Sequence, residues 1–87
     1  SDPYPNPFNP VTILDYYLPE DAIINISVHD MKGHKVKDLS NGFQNAGFNS
    51  VEWSGFNNAG AQVSSGIYLL IVQMGPITQT RKMVLMK

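Results

Sequence analysis

The side chains able to do chemistry are few and scattered. His29 and His34 stand on either side of the short stretch Asp30-Met31-Lys32-Gly33. Two imidazoles so placed could sense pH or supply half of a metal site, but no third ligand accompanies them and they read as surface histidines. Asp30, Glu52, Asn57 and Asn58 carry oxygens of the kind calcium accepts, without the short fixed spacing of a calcium loop. Asn and Asp also close turns with their own side chains, and that is the reading taken. Ser50, Ser54, Ser64 and Ser65 are plentiful, yet none sits in a G-x-S-x-G elbow. A carboxylate pair for glycoside hydrolysis needs two acids facing a cleft, and the seven acids of the chain fall mostly at turns. With no cysteine there are no disulfides, no thiolate nucleophile and few routes to a zinc site. These residues predict a protein that is not an enzyme and that holds no cofactor or metal. Tyr17, Phe43, Phe48 and Phe56 could form a flat strip for a sugar ring, but core or loop packing is the commoner use of such residues.

What remains is shape. The chain has 87 residues, enough for one small domain and too few for two independent cores. Its 43% hydrophobic and 15% charged content is too apolar for a disordered segment. The net charge is −1, and the basic residues are split between positions 32–37 and 81–87. No concentrated basic face is available for nucleic acid. No apolar run approaches the ~20 residues that span a bilayer, so membrane insertion is not expected. The chain begins Ser-Asp-Pro, without a signal peptide or initiator Met, and reads as a piece of a longer polypeptide.

Residues 1–10, SDPYPNPFNP, hold four of the six prolines and predict a stiff, extended lead-in, with Tyr4 and Phe8 spaced to pack on the end of the domain. Residues 11–87 form the domain itself. Residues 11–18 alternate, Leu14, Tyr16 and Leu18 pointing one way and Ile13, Asp15 and Tyr17 the other. Residues 23–29 repeat the pattern with Ile24, Ile26 and Val28 inward. A turn at Gly33 leads to a polar edge strand over 34–39, anchored by Val36 and Leu39, with lysines that blunt edge pairing. Asn41-Gly42 and Ala46-Gly47 bracket a loop. Residues 48–53 place Val51 and Trp53 on one face. A glycine-punctuated connection follows, with a short pairing at Val63, then a central strand over 67–74 and a last strand over 77–86. Six or seven short strands with regular turn signals predict an all-β, antiparallel, immunoglobulin-like β-sandwich of about seven strands. Its core is predicted from Leu14, Tyr16, Leu18, Ile24, Ile26, Val28, Val36, Val51, Trp53, Tyr68, Leu70 and Val72.

One pattern departs from a simple sandwich. The central strand is apolar on both faces, with Tyr68, Leu70 and Val72 on one and Ile67, Leu69 and Ile71 on the other. The last strand does the same with Met83/Leu85 and Val84/Met86. A second apolar stripe needs a cover, either a protein partner at a face containing Leu69 and Ile71 or the lead-in segment. Self-association through that face is one form the contact could take.

YPNPFNP at residues 4–10, LPE at 18–20, VHDMKGHKV at 28–36, AGFNSVEWSG at 46–55, SSGIYLL at 64–70 and TRKMVLMK at 80–87 together resemble the C-terminal sorting domain (type A) of type IX secretion cargo. The same pattern overlaps the immunoglobulin-like domain of the flagellar hook-capping protein. The first resemblance implies a sorting signal on a larger exported protein of a diderm bacterium, carried through the periplasm to be secreted or displayed at the cell surface. The implied partners are an outer-membrane translocon, a sortase-type enzyme that cleaves in the linker, and an upstream catalytic or binding domain of the same chain. Carried over onto matching positions, it implicates Gly66, Tyr68, Lys82, Met83, Val84, Leu85, Met86 and Lys87 in recognition. The second implies a structural spacer or assembly module. His29, Ser54 and Ile71 depart from the sorting-domain pattern, where an aromatic, an Asp or Asn, and a polar or basic residue respectively are usual.

Overall fold

Alternation of apolar and polar side chains gives each strand one face that must leave water, and the described residues satisfy this with six strands. The computed structural model describes residues 11–86. The lead-in of residues 1–10, with Tyr4 and Phe8, and the terminal Lys87 lie outside the described residues. The strands are β1 (Thr12–Leu18), β2 (Ala22–His29), β3 (Lys35–Gln44), β4 (Gly47–Trp53), β5 (Gly66–Met74) and β6 (Ile77–Leu85). They form two antiparallel sheets, one of two strands in the order β1-β4 and one of four in the order β3-β2-β5-β6. The expected count of about seven becomes six among the described residues. The pairing expected at Val63 is a single bridge between Phe56 and Gln62, continued by the Val63 N–H donating to the Gly55 carbonyl at 3.0 Å.

The core lies between the sheets. Leu18, Ile24, Ile26, Val28, Trp53, Tyr68, Leu70 and Val72 are buried, and Leu14, Tyr16, Val36 and Val51 pack half-buried against them. Met83 and Leu85 complete the cluster from β6. Trp53 joins the layers: it is 2% exposed, meets Tyr68 of the opposite sheet edge-on at 5.1 Å, and its indole N–H donates to the Phe56 carbonyl at 2.9 Å. A buried indole needs such an acceptor, and the bend after β4 supplies it.

β3 departs most from the sequence expectation. It runs to Gln44 instead of stopping at Leu39, so Asn41-Gly42 lies inside a strand and not in a loop. Ala22 to Asn25 of β2 need backbone partners on that side, and Gln44 to Asn41 provide them. Gly42 sits at φ 145°, a value a residue with a Cβ rarely adopts, so the dipeptide that signals a turn is absorbed into the ladder. Val36 and Leu39 are three apart and should face opposite ways in a regular strand. Register shifts at Ile26/Ser27 and Val28/His29 leave an extra residue on β3 at each point, and both side chains pack on the core.

The β2–β3 turn follows from Asp30. Its carboxylate accepts the Lys32 and His34 N–H groups, each at 2.9 Å, while the Gly33 N–H donates to the Asp30 carbonyl at 3.0 Å. Gly33, at φ 91°, takes the left-handed position.

Candidate functional site

The residues with chemical potential are held by local turn and strand partners. His29 lies against the sheet, its Nε2 2.9 Å from the Ser27 hydroxyl and its Nδ1 3.4 Å from the Gly33 carbonyl. His34 is exposed beside Asp30, Nδ1 to carboxylate 3.6 Å. Among the described residues no group of three or more His, Cys, Asp or Glu could hold a metal ion. Asn57 closes its own loop, its side-chain oxygen accepting the Ala59 and Ala61 N–H groups at 3.0 and 2.9 Å. Asn58 binds Asp38, accepting the Asp38 N–H at 3.0 Å and donating to its carboxylate at 3.1 Å, so the loop after β4 is clasped to β3. Glu52 points to solvent from β4. The Ser64 carbonyl accepts the Tyr68 hydroxyl at 2.6 Å.

Electrostatics follow the same local pattern. The Asp30 carboxyl is held below its ordinary value by the N–H groups it accepts, that of His34 first. Asp38 is held down first by its contact with Lys35, at 3.0 Å, and then by Asn58. Burial pushes the Tyr16 phenol up, partly offset by its hydrogen bond to the Gln44 side chain, which ties β1 to β3. These groups organise turns and cross-links.

The aromatics do not form one strip. Tyr17 and Phe48 face each other across β1 and β4 with centroids 5.1 Å apart, both exposed. Phe43 is on the four-stranded sheet opposite Ile23, and Phe56 is half-buried in the loop that caps Trp53.

The residues proposed for recognition divide by face. Tyr68, Met83 and Leu85 are turned into the core, because β6 pairs with β5 so that Met83 lies beside Tyr68 and Leu85 beside Gly66. In the folded domain they are not available to a partner. Lys82, Val84 and Met86 are exposed, Gly66 is half-buried, and Lys87 lies outside the described residues. Leu69 and Ile71, half-buried, lie on the outer face with Ile67 and Val84, which is 60% exposed. This row, bordered by Lys82 and Thr80 in register on β6, is the apolar stripe of the larger sheet.

A second feature has no clear sequence signal. Between β1 and the start of β6 an open cleft of about 310 Å³ is lined by Asp15, Tyr16, Tyr17, Phe48, Val72, Met74, Gln79 and Arg81. Strand alternation places Gln79 and Arg81 on one side of β6, but only the sheet-to-sheet arrangement brings them opposite β1.

Among the described residues no helix is long and apolar enough to cross a membrane. No curated protein matches the chain. Among solved structures, the FlgD protein of P. aeruginosa is similar, with a TM-score of 0.69 at 25% identity over 86% of this chain and 58% of that one. The chain thus spans little more than half the length of that protein. The family model described as the FlgD Ig-like domain matches residues 10–75, most of the sandwich from β1 to the turn after β5, and with the two-sheet antiparallel fold this places the chain in the FlgD Ig-like domain family.

Proposed function

We propose that this domain is a non-catalytic immunoglobulin-like module that works by protein–protein contact within a larger polypeptide, as a structural or assembly element. Membership of the FlgD Ig-like family carries this reading. The arrangement is suited to it: the polar side chains are spent on turns and cross-links, while apolar surface is left on the outer face of the larger sheet.

A second reading is favoured by the last strand. Among the described residues β6 is an edge strand with Lys82 and Val84 exposed and Met86 just beyond it, and an edge strand offers backbone groups and alternate side chains to strand-addition recognition. In this reading the domain is a type IX sorting signal on a protein exported through the periplasm to the outside or the cell surface. Its partners are the outer-membrane translocon and a sortase-type enzyme.

One experiment separates the two. Residues 1–87 are fused to the C-terminus of a periplasmic reporter in a type IX-competent bacterium. Retention in the periplasm supports the structural module. Arrival at the surface, lost when residues 81–87 are deleted, supports the sorting signal and overturns the first reading.

A further inference from the structure

We propose that Tyr17 and Phe48, with the cleft beside them, form a binding platform for a neutral pyranose sugar. In the register of the smaller sheet Asp15 lies opposite Ser50 and Tyr17 opposite Phe48, so all four side chains project from its outer face. The two rings sit 5.1 Å apart and are tilted by 57°. A cross-strand aromatic pair would by itself account for that contact. It does not account for the exposure: Phe48 is 87% exposed, so the pair shields little of its ring. Nor does it account for the surroundings. Phe48 borders two hollows, the cleft of about 310 Å³, which Gln79 and Arg81 of β6 also line, and a more open one of about 440 Å³ that Ser50 lines. Asp15 borders both as well.

The chemistry of that lining selects the ligand. A pyranose with equatorial hydroxyls presents C–H groups on its flat face, and their partial positive charge suits the negative face of an aromatic ring. Its rim of hydroxyls both donates and accepts. The Asp15 carboxylate accepts only, the Arg81 guanidinium donates only and the Gln79 amide does both, so hydroxyls can answer all three. An apolar protein segment pressed on the same rings would bury those polar groups without partners. A nucleobase could stack as well, but Asp15 and Glu52, on the same face, would repel its phosphates. The tilt sets the size of the site. With Tyr17 turned 57° from the Phe48 plane, one ring is stacked and the other meets the ligand's edge, so the platform is one sugar unit wide. A contact so small and exposed is weak, with a dissociation constant on the order of 1 mM. Repetition along a polysaccharide, or a second module beside it, would strengthen it.

Titration of the full chain with cellohexaose, a run of equatorial pyranoses, followed through amide chemical shifts, tests the site. Saturable shifts should centre on residues 15–17, 48–50 and 79–81, and added salt should not weaken them, because the ligand is uncharged. Phe48→Ala should weaken binding by about tenfold and, the ring being exposed, leave thermal unfolding nearly unchanged. Asp15→Asn with Arg81→Gln should weaken it by about fivefold or more, and this variant serves if loss of the ring disturbs the sheet. Phe43→Ala, at an exposed aromatic on the other sheet, should change nothing. The absence of saturable shifts up to about 10 mM cellohexaose would overturn the proposal. Shifts indifferent to Phe48→Ala, or centred on Ile23 and Phe43, would do the same. Binding of a decaproline peptide at Phe48 with cellohexaose inert would make the platform a polyproline groove and overturn the sugar assignment.

Discussion

Replacing Trp53 by alanine tests the junction on which the two layers depend. The indole is 2% exposed, packs edge-on against Tyr68 at 5.1 Å and donates to the Phe56 carbonyl at 2.9 Å. Removing a buried tryptophan to alanine costs about 3–5 kcal/mol. Within that loss the aromatic pair accounts for about 0.5–1.5 kcal/mol and the hydrogen bond for about 1 kcal/mol. At roughly 0.05–0.15 kcal/mol per residue a domain of this length has about 4–13 kcal/mol in total, so Trp53→Ala removes about a quarter to two-fifths of it at the upper end and most or all of it at the lower. Trp53→Phe keeps a ring in the gap but loses the donor and some volume, and should cost about 1–2 kcal/mol. Urea unfolding followed by far-UV circular dichroism gives both values without relying on the fluorophore removed. A loss below about 1 kcal/mol for Trp53→Ala would refute the facing of β4 and with it the register Thr12–Trp53.

The last strand offers a paired test of its alternation. Leu85→Ala should cost about 2–5 kcal/mol, and Val84→Ala, 60% exposed one residue earlier, should stay within about 0.5 kcal/mol; equal losses in thermal unfolding would put β6 in the wrong register. Asp30 and Asp38 are both depressed below their ordinary value of 3.8, so the folded state binds these protons less readily than the unfolded chain. The stability they contribute is present above that value and is lost as pH falls through their lower folded values. Urea midpoints should therefore fall below about pH 4, and Asp30→Asn with Asp38→Asn should flatten that decline; an unchanged acid slope would remove these turns from the explanation.

The strands with one clean alternation were legible from sequence, because a period of two leaves little choice of face. Leu14, Tyr16 and Leu18 of β1 and Ile24, Ile26 and Val28 of β2 all turn to the core. The turn roles of Asp30 and Asn57 were legible too, since each side-chain oxygen accepts N–H groups of its own loop. β3 was not, for a physical reason. Its length is set by what β2 needs opposite Ala22 to Asn25, and its facing by two bulges, neither of which a local pattern encodes. The resemblance assigns Met83 and Leu85 to recognition, and a strand apolar on both faces does not tell which side is buried. Which face is buried depends on the pairing Tyr68–Met83, a contact between distant parts of the chain. The cleft beside β1 was illegible in the same way, since its lining comes from β1, β4, β5 and β6, parts of the chain far apart in sequence.

The register also fixes how the domain would bear load. Thr12 pairs with Trp53, Trp53 packs on Tyr68, and Tyr68 pairs with Met83 two residues before the end of β6. The start of β1 and the end of β6 therefore leave from the same end of the sandwich. Tension applied between those two points peels each strand from its neighbour one hydrogen bond at a time, instead of loading a whole ladder at once. A mechanically weak response is expected from residues 11–86 alone. Single-molecule pulling between residues 11 and 86 should give rupture at low force, and a force typical of a ladder loaded in shear would refute the common-end geometry.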